Sequence, residues 1–339
     1  MRLLQAMGGA QHGGAEAFFL RLTLALHRAG QRQLVLVRHA EHAATLREAG
    51  IDIVELPFGG LLDRATKPGF RAAIAGFRPD IVLTWMSRAS RLCPDGDFVH
   101  VARLGGYYDL KNYRRCDHLI GNTRDLVESF VRQGWPAERA HYLPNFVDDG
   151  SAAPVARAAI GTPDGAPLAL ALGRLHENKA FDVLLAAAAL VPDLHLWLAG
   201  SGELQAALEH EAASLGIAGR VRFLGWRGDV PALLAAADFL VCPSRHEPLG
   251  NVVIEAWAAG VPVVAAASVG PRELIADGSN GILVPIDDAR SLAAAMARLA
   301  ADPALRARLA RAGRAAYEAA FTEERIVVRY RDFFAAVAG

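Results

Sequence analysis

The fold of the second half of the chain is decided by the stretch Ser244-Arg-His-Glu-Pro-Leu-Gly-Asn-Val-Val-Ile-Glu-Ala-Trp-Ala-Ala-Gly-Val-Pro-Val-Val264. Residues 238–242, just before it, have the pattern of a buried strand. Gly250-Asn251 then opens a helix, and Gly260 ends it. The stretch therefore predicts a strand, a loop and a helix in succession.

Two carboxylates, Glu247 and Glu255, flank the predicted helix start. Glu247 falls in the loop at the carboxyl end of the strand, and Glu255 about one turn inside the helix. Between them, the backbone N–H groups around Leu249, Gly250 and Asn251 lack helical partners, and such amides at the positive end of a helix dipole attract phosphate. Carboxylates accept hydrogen bonds from sugar hydroxyls. The pattern predicts recognition of a nucleotide diphosphate attached to a sugar.

Length and composition fit a two-domain protein of the reducing cytosol. The chain has 339 residues, 53% of them hydrophobic, and a formal net charge of zero, which gives no indication of a nucleic acid partner. Its cysteines (Cys93, Cys116 and Cys242) form no C-x-x-C motif, as expected without disulfides. No apolar run reaches the roughly 18–20 residues that span a bilayer. We expect a cytoplasmic protein whose membrane contact, if any, is peripheral.

Short apolar runs alternate with amphipathic segments along nearly the whole chain. Repeated strand–helix–strand units predict parallel sheets covered on both faces. The alternation breaks between residues 150 and 165, which are rich in Ala, Pro, Gly and Asp, and we interpret this segment as a linker. The predicted parts are residues 1–149, residues 150–320 and a C-terminal helical segment, residues 321–339.

A second candidate site runs from Gly173 to Asp182, between a predicted strand at 168–172 and a helix. A glycine at a strand end lets the backbone turn close to a ligand. Arg174 can bind a diphosphate with two hydrogen bonds, and Lys179 adds a point charge. These cations would stabilise the negative charge of a leaving diphosphate. Taken alone, they would be ordinary surface charges.

A third candidate is the glycine-rich loop Gly8-Gly-Ala-Gln-His-Gly-Gly-Ala-Glu16, between the first strand and the first helix. Its backbone can approach a phosphate or a sugar. It is neither a Walker loop nor G-x-G-x-x-G. A flexible turn before the helix is the alternative interpretation.

Together these motifs resemble family 4 of the retaining glycosyltransferases over essentially the whole chain. Glu247 and Glu255 match the family's E-x7-E signature. Residues 173–179 match its Gly-Arg…Lys element, and residues 13–16 its amino-terminal glycine loop. The resemblance implies an α/β fold of the GT-B type, with two Rossmann-like domains facing a central cleft. Residues 1–149 would be the acceptor domain and residues 150–320 the nucleotide-sugar domain, with the C-terminal helix returning to the first.

The resemblance also implies roles for individual residues. Glu255 would hold the donor ribose, Glu247 would face the transferred sugar, and amides near Gly250 would hold the distal phosphate. The implied catalytic residues are Arg174, Lys179 and Glu247. The implied donor-binding residues are Gly14, Gly173, Arg174, Lys179, Arg227, Glu247, Leu249, Gly250, Asn251 and Glu255. On the acceptor side we expect Gly13, Glu16, Arg103 and Tyr107.

One feature departs from the family pattern. Many members place a histidine just after a strand of the first domain, but here the segment 98–109 has none in that place. Arg103 occupies the region, and His100 lies earlier in the strand, where a core histidine is the simpler interpretation. Retaining transfer in this fold is commonly viewed as a front-face reaction in which the leaving phosphate helps to deprotonate the acceptor. The histidine is then not a required base.

Two motifs resemble metal-binding sequences, but each is better interpreted as an ordinary turn or loop. Asp95-Gly96-Asp97 is a D-x-D string, but Pro94 before it makes a turn the better interpretation. His39 and His42 lack further ligands at metal spacing, and we expect a polar loop there. We therefore expect no metal cofactor, with the nucleotide sugar as a substrate.

The leading hypothesis is a retaining glycosyltransferase that uses a nucleotide sugar and a saccharide or glycolipid acceptor in lipopolysaccharide or exopolysaccharide synthesis. Peripheral contact with the inner membrane would accompany this function. One alternative is a GT-B-type nucleotide-sugar epimerase, which needs no acceptor. Another is an inactive nucleotide-sugar-binding partner, although the intact charged motifs argue against it.

Overall fold

A computed structural model describes residues 1–11, 13–59 and 62–339. The chain divides into two compact units. Unit 1 comprises Met1–Phe146 and Glu323–Gly339, and unit 2 comprises Val147–Thr322. Within the described ranges, no helix is long and apolar enough to cross a membrane.

Unit 1 is built on seven parallel strands in the order β3-β2-β1-β4-β5-β6-β7. β1 and β4 at its centre are almost wholly buried, as expected of a sheet covered on both faces. The strands are β1 (Arg2–Met7), β2 (Arg32–Val37), β3 (Asp52–Glu55), β4 (Ile81–Trp85), β5 (Val99–Leu104), β6 (His118–Gly121) and β7 (Ala140–Tyr142). The helices between them are α1 (Gly14–Arg28), α2 (Ala40–Glu48), α3 (Thr66–Phe77), α4 (Met86–Leu92) and α5 (Arg124–Arg132).

Unit 2 has six parallel strands in the order β10-β9-β8-β11-β12-β13. The strands are β8 (Leu168–Leu172), β9 (His195–Ala199), β10 (Val221–Gly225), β11 (Phe239–Cys242), β12 (Val263–Ala266) and β13 (Ile282–Val284). The helices are α6 (Phe181–Ala189), α7 (Gln205–Ser214), α8 (Val230–Ala236), α9 (Asn251–Ala258), α10 (Val269–Leu274), α11 (Ala289–Ala301) and α12 (Pro303–Ala320). From β8 the strands are added outward toward one edge of the sheet, and from β11 toward the other. Sheets of this type bind ligands at the position where the order reverses, here between β8 and β11.

The predicted pair of Rossmann-like, parallel-sheet domains is confirmed. Two local expectations are wrong. The segment 150–165 is no free linker, because the Val155 amide donates to Ala232 O and Arg157 Nε to Ala236 O, which joins it to unit 2. The polar loop expected at His39–His42 is the start of α2, where His42 is buried.

The last helix, α13 (Glu323–Val337), belongs to unit 1. Its apolar face, with Tyr330 and Phe334, packs into the same core as β1 and α1. Arg103 on β5 is 1% exposed and donates from Nε to the Tyr330 hydroxyl at 2.8 Å. Its guanidinium also bonds Asn145 and lies over the rings of Phe18 and Trp85. The expectation that Arg103 contacts an acceptor is therefore wrong, because its charge is used to hold α13 inside the unit.

A histidine pair also contacts α13. His118 Nδ1 and His141 Nε2, on adjacent strands, lie 3.0 Å apart, and the His141 ring lies 4.7 Å from that of Phe333 on α13. Burial, with the neighbouring charge of His118, lowers the pKa of His141 to about 4. Burial also lowers the pKa of His118, although Asp117 opposes this. The pair is therefore neutral in the folded protein at neutral pH.

This pair makes folding sensitive to acid. An unfolded histidine has a pKa of about 6.5, so between that pH and about 4 the unfolded chain binds more protons, and stability falls as pH falls. Above pH ~6.5 the contribution is fully present. We predict that the urea midpoint of His141→Gln drops less between pH 7.5 and pH 5 than that of the wild type. His100, whose pKa burial also lowers to about 4, acts equally in both proteins. Equal drops in the two proteins would contradict this assignment.

Candidate functional site

The connections that follow β8 and β11 meet at the carboxyl edge of the unit 2 sheet. The first runs from Gly173 to Ala180 and the second from Pro243 to Gly250. Their strands are neighbours in the sheet, so their loops must emerge side by side. The His246 amide donates to Asn178 O at 3.2 Å, which joins the two connections directly.

Lys179 and Glu247 form an ion pair between these two connections. The side chains are 23% and 13% exposed, so the pair is largely screened from water. Burial lowers the pKa of Lys179, but the charge of Glu247 and the hydrogen bond to it outweigh burial and hold that pKa above its usual value. Lys179 is therefore a firmly protonated cation at the predicted phosphate position.

Glu247 is placed by its own loop as well. Its Oε1 lies 3.4 Å from the Gly250 amide and its Oε2 lies 3.5 Å from Ser244 Oγ. The backbone carbonyl of Glu247 accepts from the Gly270 amide at 2.8 Å. Gly250 has φ 82°, a left-handed conformation that glycine adopts without strain, and it starts α9 with no side-chain cap. A helix start without a side-chain cap is the kind of helix end that attracts anions.

A third loop, Gly200-Ser201-Gly202 after β9, packs backbone to backbone against the β8 connection. The Leu175 amide donates to Ser201 O at 3.0 Å. A Cβ atom at Gly200 would collide with Gly173 O, and one at Gly202 with the backbone of Leu175. Sequence reasoning missed this loop, although a Gly-Ser-Gly string after a predicted strand was a usable signal.

The other donor-binding residues predicted in unit 2 differ in their exposure and in their contacts. Arg174 is exposed, and its charge acts to lower the pKa of Lys179. Leu249 is buried, whereas Asn251 and Glu255 are partly exposed in the first two turns of α9. Arg227 follows the edge strand β10, and its guanidinium pairs with the Asp229 carboxylate at 2.8 and 2.6 Å.

The predicted residues of unit 1 have mostly structural contacts. Glu16 is buried, and its Oε1 accepts from the Ala10 amide at 2.9 Å, so it holds the glycine loop rather than facing an acceptor. Gly13 caps α1 and Gly14 begins it. A Cβ at Gly13 would collide with Glu16, while nothing lies near Gly14. Tyr107 is exposed and donates to Asp125. His12 of this loop lies outside the described residues.

In the described part of the chain, side chains that could bind a metal are dispersed. Throughout residues 1–11, 13–59 and 62–339, no three His, Cys, Asp or Glu side chains are placed to hold a metal ion. Asp95 of the D-x-D string lies 3.6 Å from an Arg115 guanidinium nitrogen.

Known structures share this fold. The chain superposes on Alr3699/HepE from Anabaena, which was solved in complex with UDP and glucose, with a TM-score of 0.84 over 99% of this chain and 100% of that one. Sequence identity is 23%, so this likeness concerns the fold alone.

Sequence comparisons are more specific. The family model described as Glycosyltransferase Family 4 matches residues 12–150, and the model described as Glycosyl transferases group 1 matches residues 153–316. The lipopolysaccharide core biosynthesis glycosyltransferase LpsE of Rhizobium meliloti (strain 1021) is 39% identical over 328 residues, covering 95% of this chain and 96% of that protein. LpsD of the same organism is 36% identical, covering 95% of each. The chain therefore belongs to the family 4 glycosyltransferases and is a sugar-transferring enzyme of the GT-B fold.

Proposed function

We propose that this enzyme moves a sugar from a nucleotide-sugar donor to a saccharide or glycolipid acceptor, with retention of configuration, during lipopolysaccharide core or exopolysaccharide synthesis. The observation that carries the proposal is the meeting of Lys179 and Glu247 beside the uncapped start of α9. It supports the proposal because a cation, a carboxylate and the amides of a helix start are groups that can bind a sugar diphosphate. The names of the two Rhizobium relatives support the pathway.

In this proposal, the donor diphosphate takes over Lys179 from Glu247. Lys179, Arg174 and the amides of α9 stabilise the negative charge that grows on the leaving diphosphate. Glu247, released from the ammonium, accepts hydrogen bonds from the transferred sugar, and Glu255 accepts them from the ribose. The acceptor hydroxyl attacks on the face that the phosphate leaves, and a phosphate oxygen takes its proton. Attack on that face retains the configuration.

The two carboxylates should separate binding from turnover. We predict that Glu255→Ala weakens binding of the free nucleotide, because its contact is with the ribose. Glu247→Ala should not weaken free nucleotide binding, because its contact is with the sugar, and it should lower turnover of the nucleotide sugar. Isothermal titration with UDP, GDP and ADP, next to steady-state kinetics with the matching glucose donors, measures both. Loss of all nucleotide binding in a folded Glu247→Ala protein would refute this placement of the sugar.

The cations should act on the transition state. We predict that Lys179→Ala or Arg174→Ala lowers kcat by roughly 10²–10³, as for other preorganised electrostatic contacts. We also propose that these cations take the place of a metal ion, so that transfer persists in EDTA. Activity that disappears with EDTA and returns with manganese would contradict this and direct attention back to Asp95 and Asp97.

We further propose a cytoplasmic location with peripheral contact at the inner membrane, where a lipid-linked acceptor resides. Leu62 supports this, because it is 92% exposed beside the exposed Arg64 and Lys67. An apolar side chain among cations suits an anionic bilayer surface. Nucleic acid has no part in the proposal.

Vesicle binding tests that location. We predict that the enzyme co-sediments with phosphatidylglycerol vesicles more than with phosphatidylcholine vesicles. Lys67→Gln should weaken this by roughly fivefold, the contribution of one surface cation, and Leu62→Ser should weaken it too. Val328→Ser, which changes an exposed apolar residue on α13, is the control. Equal binding to both lipids would count against the proposal.

Reaction products separate the transferase from the alternatives. A transferase releases free nucleotide and leaves its sugar on the acceptor. A GT-B-type epimerase returns a nucleotide sugar, and an inactive partner binds the donor without changing it. Full-length similarity to named glycosyltransferases supports the first.

A further inference from the structure

Arg245, two residues before Glu247, joins its own loop to two other segments of unit 2 with one guanidinium. Its Nη1 and Nη2 pair with the two carboxylate oxygens of Asp182 at 3.0 and 2.5 Å. Its Nε pairs with Asp287 Oδ1 at 2.5 Å, and Nη1 also donates to Glu177 O at 2.9 Å. Planar two-point binding of this kind is available to arginine and not to lysine.

The partners of Arg245 lie on both sides of Lys179 in the sequence. Glu177 begins the short 3-10 turn that ends at Lys179, and Asp182 lies in the first turn of α6. Arg245 therefore joins the connection that carries Glu247 to the connection that carries Lys179. The His246 amide, which donates to Asn178 O, joins the same two connections.

Asp287 brings in the loop after β13. Its backbone has φ 59°, a left-handed conformation that aspartate tolerates better than most residues. One guanidinium thus fixes the loops after β8, β11 and β13 at the same edge of the sheet.

The solvent exposure of the ion pairs of Arg245 with Asp182 and Asp287 indicates whether they act on stability or on loop geometry. The side chains of Arg245, Asp182 and Asp287 are 31%, 46% and 52% exposed. Ion pairs this exposed contribute little to stability. Their effect should appear in the geometry of the loops, since a displacement of about 1 Å at a reacting centre can cost 10²-fold in rate.

We propose that Arg245 is a positioning residue that holds Glu247 against Lys179 and so prepares the place where the sugar diphosphate reacts. The proposal deepens the donor site and rests on the proposed function. Arg245 touches no substrate in this account and acts through Glu247. Its loss should therefore matter only while Glu247 is present.

A ligand-free measurement is available because the chain has three lysines, Lys67, Lys111 and Lys179. Trace acetylation with acetic anhydride labels unprotonated amines, and mass spectrometry gives the labelling of Lys179 relative to Lys67. Pairing with Glu247 should keep this ratio low in the wild type. Glu247→Gln, which removes the carboxylate charge, should raise it and serves as the reference.

We predict that Arg245→Met raises the Lys179 labelling ratio by about threefold or more, equivalent to about half a pKa unit. Asp182→Asn, which keeps the side-chain shape, should give a smaller rise. Loss of the Arg245 charge alone would favour protonated Lys179 and lower the ratio, so a rise reports a displaced Glu247. Arg47→Met, which removes the exposed pair with Glu55 in unit 1, should leave the ratio unchanged.

Kinetics give the second test. With the nucleotide sugar that the wild type turns over, Arg245→Met should lower kcat by roughly tenfold or more while the Kd of the free nucleotide stays within about twofold. The double variant Arg245→Met/Glu247→Ala should be no slower than Glu247→Ala alone, because residues acting as one unit are not additive. A wild-type labelling ratio in Arg245→Met, or rate losses that multiply, would overturn the proposal. If the wild type turned over no nucleotide sugar, the proposed function would fail, and labelling would still decide the role of Arg245.

Discussion

The ion pair of Lys179 with Glu247 is the interaction on which the rest of the proposed donor site depends. Lys179 lies in the connection after β8, and Glu247 lies in the connection after β11. These two buried strands are neighbours at the position where the strand order reverses. A lone ammonium or carboxylate at this burial would be costly, so each charge needs the other until a ligand arrives. The hydrogen bond from the His246 amide to Asn178 O helps to keep the two connections close enough to pair.

In the proposed function, the pair serves two states of the site, one without the donor and one with it. A diphosphate is a stronger partner for an ammonium than a single carboxylate, because it offers more charge and more acceptor oxygens. Transfer of Lys179 to the phosphate would free the Glu247 carboxylate for sugar hydroxyls without leaving either group unpaired. Firm protonation of Lys179 keeps this exchange available at neutral pH. Arg245 would keep Glu247 in place during the exchange.

The hydrophobic periodicity of the sequence, with its glycines and prolines, was enough to predict the parallel sheets and the strand, loop and helix that carry the donor motif. The strand at Leu168–Leu172 and the helix that follows Gly250 lie where the apolar runs and glycines indicate. Glu247 and Lys179 were predicted because each is a charged residue in a loop between a predicted strand and a helix, and because both match motifs of the family that the chain resembles. The pairing of the two side chains was not predicted.

Side-chain direction could not be predicted in the same way. Arg103 and Glu16 occupy promising positions in sequence, yet one bonds Tyr330 far along the chain and the other turns back onto its own loop. Arg245 was overlooked because its partners, Asp182 and Asp287, are distant in sequence and follow no motif.

A crystal structure with a bound nucleoside diphosphate tests the central claim most directly. We expect phosphate oxygens within hydrogen-bonding distance of Lys179 Nζ and of the amides that begin α9, with the Glu247 carboxylate moved off the ammonium. A nucleotide bound elsewhere, or a diphosphate that leaves Lys179 paired with Glu247 alone, would contradict it.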